Sequence, residues 1–218
     1  GRWLAETPVF LAMKEQKALA AELPLKMVLR DHKAQIWPAM LLTWFLSAGI
    51  VTITLLTPNI METQHLYDRG EALLANSIAI VFLTLGCIFW GWLADRIGSY
   101  RVLLIGALAL AASSYVFYHA LPVDVLHTTA LYSLTGFALG SVAVVPMILV
   151  GLFPPAVRYS GFSFSYNVAY SIFGGFTPIL IALWLKVDIL APAHYLAIVC
   201  AMAFALAIWL GKGKGSRI

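Results

Sequence analysis

The chain has 218 residues, of which 61% are hydrophobic and only 11% are charged, and its formal net charge is +4. Soluble domains are about 45 to 50% apolar and about 25% charged, so this composition argues against a water-soluble globular protein and favours a membrane protein. The positive charge does not require a nucleic-acid partner, because basic residues also collect on the cytoplasmic face of membrane proteins, beside anionic lipid.

Residues 1–35 form the only sizeable polar segment, in which apolar residues are mixed with Lys and Glu at helix-like spacing. We predict a cytoplasmic linker here, which either forms an interfacial helix interrupted at Pro24 or stays solvated without a fixed depth. The chain starts with Gly1-Arg2-Trp3 and no initiator Met, so we expect a fragment or a processed product.

Six long runs without internal Asp, Glu, Lys or Arg follow this segment. Each has the roughly 20 residues that a helix needs to cross a hydrocarbon core of about 30 Å, and helices are required because unpaired backbone amides are costly in lipid. The predicted spans are 36–60, 72–94, 102–122, 126–157, 159–185 and 189–212. The sequence therefore predicts an all-α membrane protein, with a six-helix transmembrane bundle over residues 36–212 and a cytoplasmic tail over residues 213–218.

Lys and Arg are distributed unevenly between the two sides of the predicted membrane. All 14 of them, except Arg69 and Lys186, lie on the side that carries both termini. Because basic residues are retained on the cytoplasmic side, we predict that both termini are cytoplasmic and that the protein is integral to the plasma membrane, which in bacteria is the inner membrane.

The loop between the second and third predicted spans contains GWLADRIG over residues 91–98, followed by Arg101. Gly98 can adopt a positive φ in a tight turn, Gly91 lets a neighbouring helix approach closely, and Asp95 can hold a helix N-terminus. This stretch resembles the G-x-x-x-D-R-x-G signature of the major facilitator superfamily. The second basic residue that usually follows the signature glycine is displaced here, to Arg101.

Hydroxyl, amide and phenol side chains recur on one face of the first, fourth and fifth predicted spans. In the fifth span, from Tyr159 to Thr177, they occupy one arc of about 120° at 100° per residue. Lipid cannot satisfy such groups, so this face should meet protein or water; helix packing is the alternative, and we favour it for Gly136, Gly140, Gly174 and Gly175. The candidate residues of a solute cavity are Thr43, Ser47, Thr54, Tyr132, Ser163, Tyr166, Asn167 and Tyr170.

None of the six predicted spans has an acidic or basic residue in its interior. Proton coupling commonly uses an intramembrane carboxylate, so a coupled transporter would have to obtain its titratable group from elsewhere. The sequence offers no nucleophile paired with a base, no metal-ligand cluster and no phosphate-binding loop. We therefore expect neither an enzyme nor a cofactor or metal site.

Two further stretches, AETPVF near the start and FPPAVRYSGFSFSYNVAYSIFGGFTP over residues 153–178, resemble one family of that superfamily. They are similar to the segment before the seventh helix and to the start of the eleventh helix in metabolite:proton symporters. The resemblance covers the whole chain, as the C-terminal half of such a transporter with helices seven to twelve. It implies a twelve-helix protein of two six-helix bundles that hold the solute near the midplane between them.

The implied function is secondary active transport of an organic anion or a zwitterion by alternating access, coupled to protons. The implied partners are an N-terminal six-helix half, the solute and the lipid bilayer. Two alternatives are a half-transporter that works with a second copy of itself and a membrane assembly or sensor unit that does not transport. The resemblance also implies a cytoplasmic latch formed by Gly91, Asp95, Arg96, Gly98, Arg101 and Arg158.

Overall fold

The computed structural model describes residues 24–65, 67–121 and 125–214, and these residues are almost entirely helical. The α-helices are α1 (Pro24–Asp31), α2 (Lys33–Ile50), α3 (Thr57–His65), α4 (Arg69–Ile97), α5 (Ser99–Ala120), α6 (Val125–Leu139), α7 (Val144–Leu152), α8 (Arg158–Trp184) and α9 (Ala191–Lys214). A π-helical segment, Val51–Leu56, joins α2 to α3, and a 3₁₀ segment, Gly140–Ala143, joins α6 to α7. Residues 1–23 of the predicted linker and the end of the predicted tail lie outside the described residues.

Six helical stretches in the described ranges are long and apolar enough to cross a membrane, which confirms the six predicted spans. We number them span 1 (Lys33–Gln64), span 2 (Arg69–Ile97), span 3 (Ser99–Ala120), span 4 (Leu126–Leu152), span 5 (Arg158–Trp184) and span 6 (Ala191–Lys212). Spans 1 and 2 extend beyond their charge-free cores, because long charged side chains at a helix end can reach the interface.

The fourth predicted span is too long, because the helix ends at Leu152 and not at residue 157. Phe153 has extended backbone angles, with φ −103° and ψ 140°. It precedes Pro154, and the proline ring disfavours the helical conformation of the residue before it.

The interruptions in spans 1 and 4 each precede a proline. Pro58 is the second residue of α3, directly after the π-helical segment, and Pro146 lies in the first turn of α7, after the 3₁₀ segment. A proline has no backbone N–H to donate to the preceding turn, so these two residues lie where regular α-helical hydrogen bonding has already changed.

The bundle is built from three main pairs of packed helices. Span 2 packs on span 4, span 3 on span 6, and span 1 on span 5. The contact between spans 2 and 4 is the tightest: Gly140 lies directly against the Gly86 backbone, and the Trp90 Nε1–H donates to the Phe137 carbonyl oxygen at 2.9 Å. Spans 1 and 4 are the most buried of the six, and spans 2 and 5 are the least buried.

Helix α1 packs against span 5 and begins at Pro24, a residue that is well tolerated in the first turn of a helix. It buries Val28 completely. At its end, Arg30 pairs with Asp31 through contacts of 2.8 and 2.9 Å, and this hydrogen-bonded guanidinium lowers the pKa of the Asp31 carboxyl. The described part of the predicted linker is therefore a helix docked on the bundle.

Candidate functional site

The polar face of span 5 is open along the first half of the helix. Asn167 and Ser171 are exposed, and Ser163 is half-buried. The Asn167 Nδ2–H donates to the Ser163 carbonyl oxygen at 2.8 Å and lies 3.2 Å from Ser163 Oγ. Ser163 and Asn167 also line a groove of about 360 Å³, whose far wall includes Leu25 of α1. The Asn167 Oδ1 acceptor binds no described residue and remains available to a ligand.

Next to this amide lies a ladder of three aromatic rings at helical spacing. Phe162 and Tyr166 stack with their ring centroids 5.5 Å apart, and Tyr170 follows 5.6 Å from Tyr166. All three side chains are half-buried, and the phenol hydroxyls of Tyr166 and Tyr170 bind no residue within the described ranges. Exposed aromatic faces can attract an organic cation, and phenol hydroxyls can donate to a carboxylate.

A second aromatic pair joins span 1 to span 5. Trp44 stacks on Phe173, with the ring centroids 4.5 Å apart and the planes 10° apart. The Trp44 Nε1–H donates to the Tyr195 hydroxyl at 2.8 Å, and that hydroxyl lies 2.7 Å from Thr177 Oγ1. This network fixes spans 1, 5 and 6 to one another beside the open face of span 5.

The hydroxyls predicted on span 1 do not add to this open face. Thr43 and Ser47 are completely buried, and their hydroxyls donate to carbonyl oxygens of their own helix at 2.8 and 3.2 Å. Thr54 is half-buried and lines a different cavity, together with Glu62 and Arg69. The structure thus brings Ser163, Tyr166, Asn167 and Tyr170 together on span 5. Ser47 packs beside this helix, where its Cβ lies 4.0 Å from the position that a Cβ at Gly174 would occupy, and Thr54 lines the other cavity.

Tyr132 lies in the interior of the bundle, where its ring stacks on Phe117 with centroids 4.7 Å apart. Its hydroxyl donates to the Ile53 carbonyl oxygen and contacts Asn76 Oδ1 at 2.6 Å. The Ile53 carbonyl needs this donor: the Thr57 N–H bonds to Thr52, and Pro58, the next residue of the π-helical repeat, has no N–H. Tyr132 therefore completes the hydrogen bonding of the interrupted part of span 1.

The loop with the signature sequence has the predicted backbone geometry. Gly98 has φ 90° and ends α4, and α5 begins at the next residue. This confirms that the position needs a conformation that residues with a Cβ rarely adopt. We call the end of the bundle that carries Gly98 the signature end, and the other end the opposite end.

The side chains of the signature loop face outward. Asp95 is exposed and binds no residue within the described parts of the chain, and a Cβ at Gly91 would meet nothing within 4 Å. The Arg96 guanidinium lies over the Trp92 ring, 4.2 Å from its centroid. No helix of the described ranges therefore approaches Gly91 or is held by Asp95.

The other two basic residues of the predicted latch are separate from Asp95. Arg101 lines a groove between spans 3 and 6 together with Lys212. Arg158 begins span 5, and its Nε–H donates to the Phe153 carbonyl oxygen at 3.3 Å. Within the described ranges, no group of three His, Cys, Asp or Glu side chains could hold a metal ion.

Several residues of these sites were missed by sequence reasoning. Trp44 and Phe173 are apolar residues that the sequence does not mark as part of a site, and only the pairing of spans 1 and 5 brings them together. Glu62 and Arg69 were excluded because the spans were defined as runs without charge. Glu62 lies two turns after Thr54 and one turn after Pro58, and this spacing along one helix face is the signal that could have found it.

Comparison with known proteins gives consistent matches. Residues 5–211 match the family described as sugar (and other) transporter. A Staphylococcus aureus protein named "Putative proline/betaine transporter" is 28% identical over 215 residues, which cover 96% of this chain and 46% of the relative. The ectoine/proline transporter ProP of Corynebacterium glutamicum is 28% identical over 224 residues (92% and 42%), and the shikimate transporter of Escherichia coli K12 is 35% identical over 103 residues (46% and 23%). The chain spans about half the length of the first of these relatives.

Proposed function

We propose that this chain is one half of a secondary transporter. It belongs to the sugar and other transporter family, within the major facilitator superfamily, and it is an integral membrane protein of solute transport. Its substrate is a small zwitterion or organic anion, its transport is coupled to protons, and it works by alternating access. The other half is an N-terminal six-helix bundle that packs on the open faces of spans 2 and 5.

The observation that carries this proposal is the unsatisfied polar face of span 5. The Asn167 Oδ1 and the hydroxyls of Tyr166 and Tyr170 have no partner within the described ranges, although other exposed hydroxyls are satisfied by their own helix: Ser77 donates to Leu73 at 2.8 Å and Thr84 to Ile80 at 3.0 Å. Unsatisfied polar groups are costly in lipid. This face therefore belongs in a cavity between two bundles, where a solute and water can bind it.

The chemistry of this face suits a zwitterion. Aromatic rings at 5.5 and 5.6 Å spacing offer π faces to an ammonium group, and the phenol hydroxyls can donate to a carboxylate. Relatives of the chain are named for proline, betaine and ectoine transport. We assign proline and glycine betaine as the first substrates to test.

The latch and the topology are part of the same proposal. Asp95 and Gly91 lie on an open surface at the signature end, so the helix that they hold and admit belongs to the other half. The distribution of Lys and Arg supports a plasma-membrane protein with the signature end and both termini in the cytoplasm. No carboxylate lies in the middle of a span, so we assign the proton-coupling group to the other half as well.

The test is solute uptake by proteoliposomes that contain the native assembly purified from its membrane. We expect an inward proton gradient to drive uptake of radiolabelled glycine betaine or proline. Asn167→Ala should raise the apparent KM for proline about tenfold or more, since the ammonium N–H of proline can donate to Asn167 Oδ1 and a hydrogen bond to a charged group contributes about 1.5 to 3 kcal/mol. Ile179→Ala, on the exposed apolar face of the same helix, is the matched control and should leave the KM unchanged.

Three results would contradict this proposal. An unchanged KM in Asn167→Ala would remove the span 5 face from the solute path. Proton-driven uptake by the purified chain without a second half would show that the coupling group lies in this chain or that two copies suffice. Failure of the native assembly to take up either solute under a proton gradient would refute the substrate class.

A further inference from the structure

A second polar cavity lies at the opposite end of the bundle, between spans 1 and 2. Its volume is about 340 Å³, which is in the range of small-molecule sites. The walls come from the π-helical segment, α3 and the start of α4. The lining residues are Thr54, Leu55, Pro58, Asn59, Glu62, Arg69, Ala72, Leu73 and Asn76.

The cavity contains one acidic and one basic side chain that do not bind each other. Glu62 is half-buried and Arg69 is exposed. Neither of them forms an ion pair with any residue in the described parts of the chain, although both line the same cavity. The nearby acidic residues Asp68 and Glu71 are occupied with the start of α4, where they form its capping box. The cavity wall therefore presents a carboxylate and a guanidinium that are both available to a ligand.

The remaining polar groups of the wall are fixed by the bundle. The Asn76 side-chain amide contacts the Tyr132 hydroxyl at 2.6 Å, so this amide is held in place. The Thr54 hydroxyl donates to the Ile50 carbonyl oxygen at 2.7 Å and keeps its acceptor lone pairs. A polar side chain that is already held in place lowers the entropy cost of binding a small polar ligand.

From this arrangement we propose that the cavity is a second solute site, which binds a small zwitterion with its ammonium group at Glu62 and its carboxylate at Arg69. A ligand that carries both charges satisfies both side chains at once, whereas a simple anion or cation leaves one of them unpaired. Bidentate contacts between a guanidinium and a carboxylate are among the stronger polar contacts in proteins. The choice of a zwitterion rests on the proposed function; the existence of the site does not.

The experiment measures binding to the full chain in nanodiscs of phosphatidylcholine with three probes: glycine betaine, choline, which is only cationic, and propionate, which is only anionic. We expect Glu62→Gln to weaken glycine betaine and choline binding about tenfold and to leave propionate unchanged. Arg69→Gln should weaken glycine betaine and propionate by a similar factor and leave choline unchanged. Each measurement is repeated in the Asn167→Ala background, so that binding at span 5 does not mask the result.

Two control variants, Glu71→Gln and Lys186→Gln, carry the same charge changes outside the cavity. Glu71 lies in the first turn of α4, where Gln can also complete a capping box, and Lys186 is an exposed base that follows the end of span 5. Both variants should bind all three probes like the unmodified chain. Equal losses of binding in the controls would show that the effect comes from general surface charge and would overturn the proposal. Absence of glycine betaine binding in the unmodified chain would also overturn it.

The outcomes separate this site from the proposed function. Uptake by the native assembly that depends on Asn167, with probe binding that does not respond to Glu62 or Arg69, would refute the second site and leave the transport proposal intact. Charge-selective binding at Glu62 and Arg69 without uptake by the native assembly would do the reverse. We expect each variant to fold, since both residues lie near the surface. Thermal unfolding of each variant checks this.

Discussion

The hydroxyl of Tyr132 is predicted to stabilise the fold through a single backbone carbonyl. Tyr132→Phe keeps the ring and its stacking on Phe117 but removes the donor to the Ile53 carbonyl oxygen. An unsatisfied buried polar group costs about 1 to 3 kcal/mol, and hydrogen bonds between membrane helices contribute about 0.6 kcal/mol on average and at most about 1.7. We expect a loss of about 1 to 2 kcal/mol in the free energy of unfolding.

The same reasoning predicts that this loss depends on Pro58. In Pro58→Ala, residue 58 gains an N–H that can donate to the Ile53 carbonyl, so Tyr132→Phe in that background should cost less than about 0.5 kcal/mol. The assay is equilibrium unfolding in mixed micelles, followed by tryptophan fluorescence over a denaturant series. Tyr159→Phe, whose side chain is 85% exposed, is the control. Equal losses with and without Pro58 would refute the argument that the proline leaves the carbonyl unsatisfied.

Two further predictions concern packing and the latch. Gly140→Ala should destabilise the bundle by about 1 to 3 kcal/mol, since the new Cβ would lie against Gly86 and 2.5 Å from the Cys87 nitrogen. The control is Gly175→Ala, whose new Cβ meets nothing within 4 Å and should not destabilise the bundle. Equal melting temperatures of the two variants would contradict this prediction. Asp95→Asn should lower the uptake rate of the native assembly at unchanged abundance, whereas Asp31→Asn, an exposed acid at the same end, should not; unaltered uptake in Asp95→Asn would remove the latch.

The number and order of the spans could be predicted from the sequence because each span needs a long run without charge in lipid. The end of span 4 could also have been predicted, since Pro154 disfavours a helical Phe153, but the absence of charge up to Arg158 concealed it. The π-helical segment in span 1 has no such signal. It depends on the hydroxyls of Thr57 and Tyr132, which donate to carbonyl oxygens near Pro58, and the position of Tyr132 is a tertiary property.

The polar arc predicted on span 5 shows why a helical wheel is insufficient to locate a site. Asn167 and Thr177 share that arc, yet Asn167 is exposed and Thr177 is completely buried, where its hydroxyl contacts Tyr195. Packed helices cross at an angle, so the face that a helix buries changes along its length. Spacing therefore identifies which side chains share a face, and only the contacts of each turn decide which of them reach a ligand.

The distribution of satisfied and unsatisfied polar groups gives the strongest argument for a second bundle. On span 1 the hydroxyls of Thr43 and Ser47 are satisfied by their own helix, so burying them requires nothing further from the surroundings. Two exposed polar groups without a partner in the described ranges lie on the two least buried spans: Asn167 on span 5 and Asp95 at the end of span 2. An amide oxygen and a carboxylate can each be satisfied by water, a solute or a protein donor, but not by acyl chains. One additional bundle across spans 2 and 5 would shield the Asn167 amide from acyl chains, which cannot satisfy it, and would offer Asp95, at the end of span 2, a protein donor in place of water.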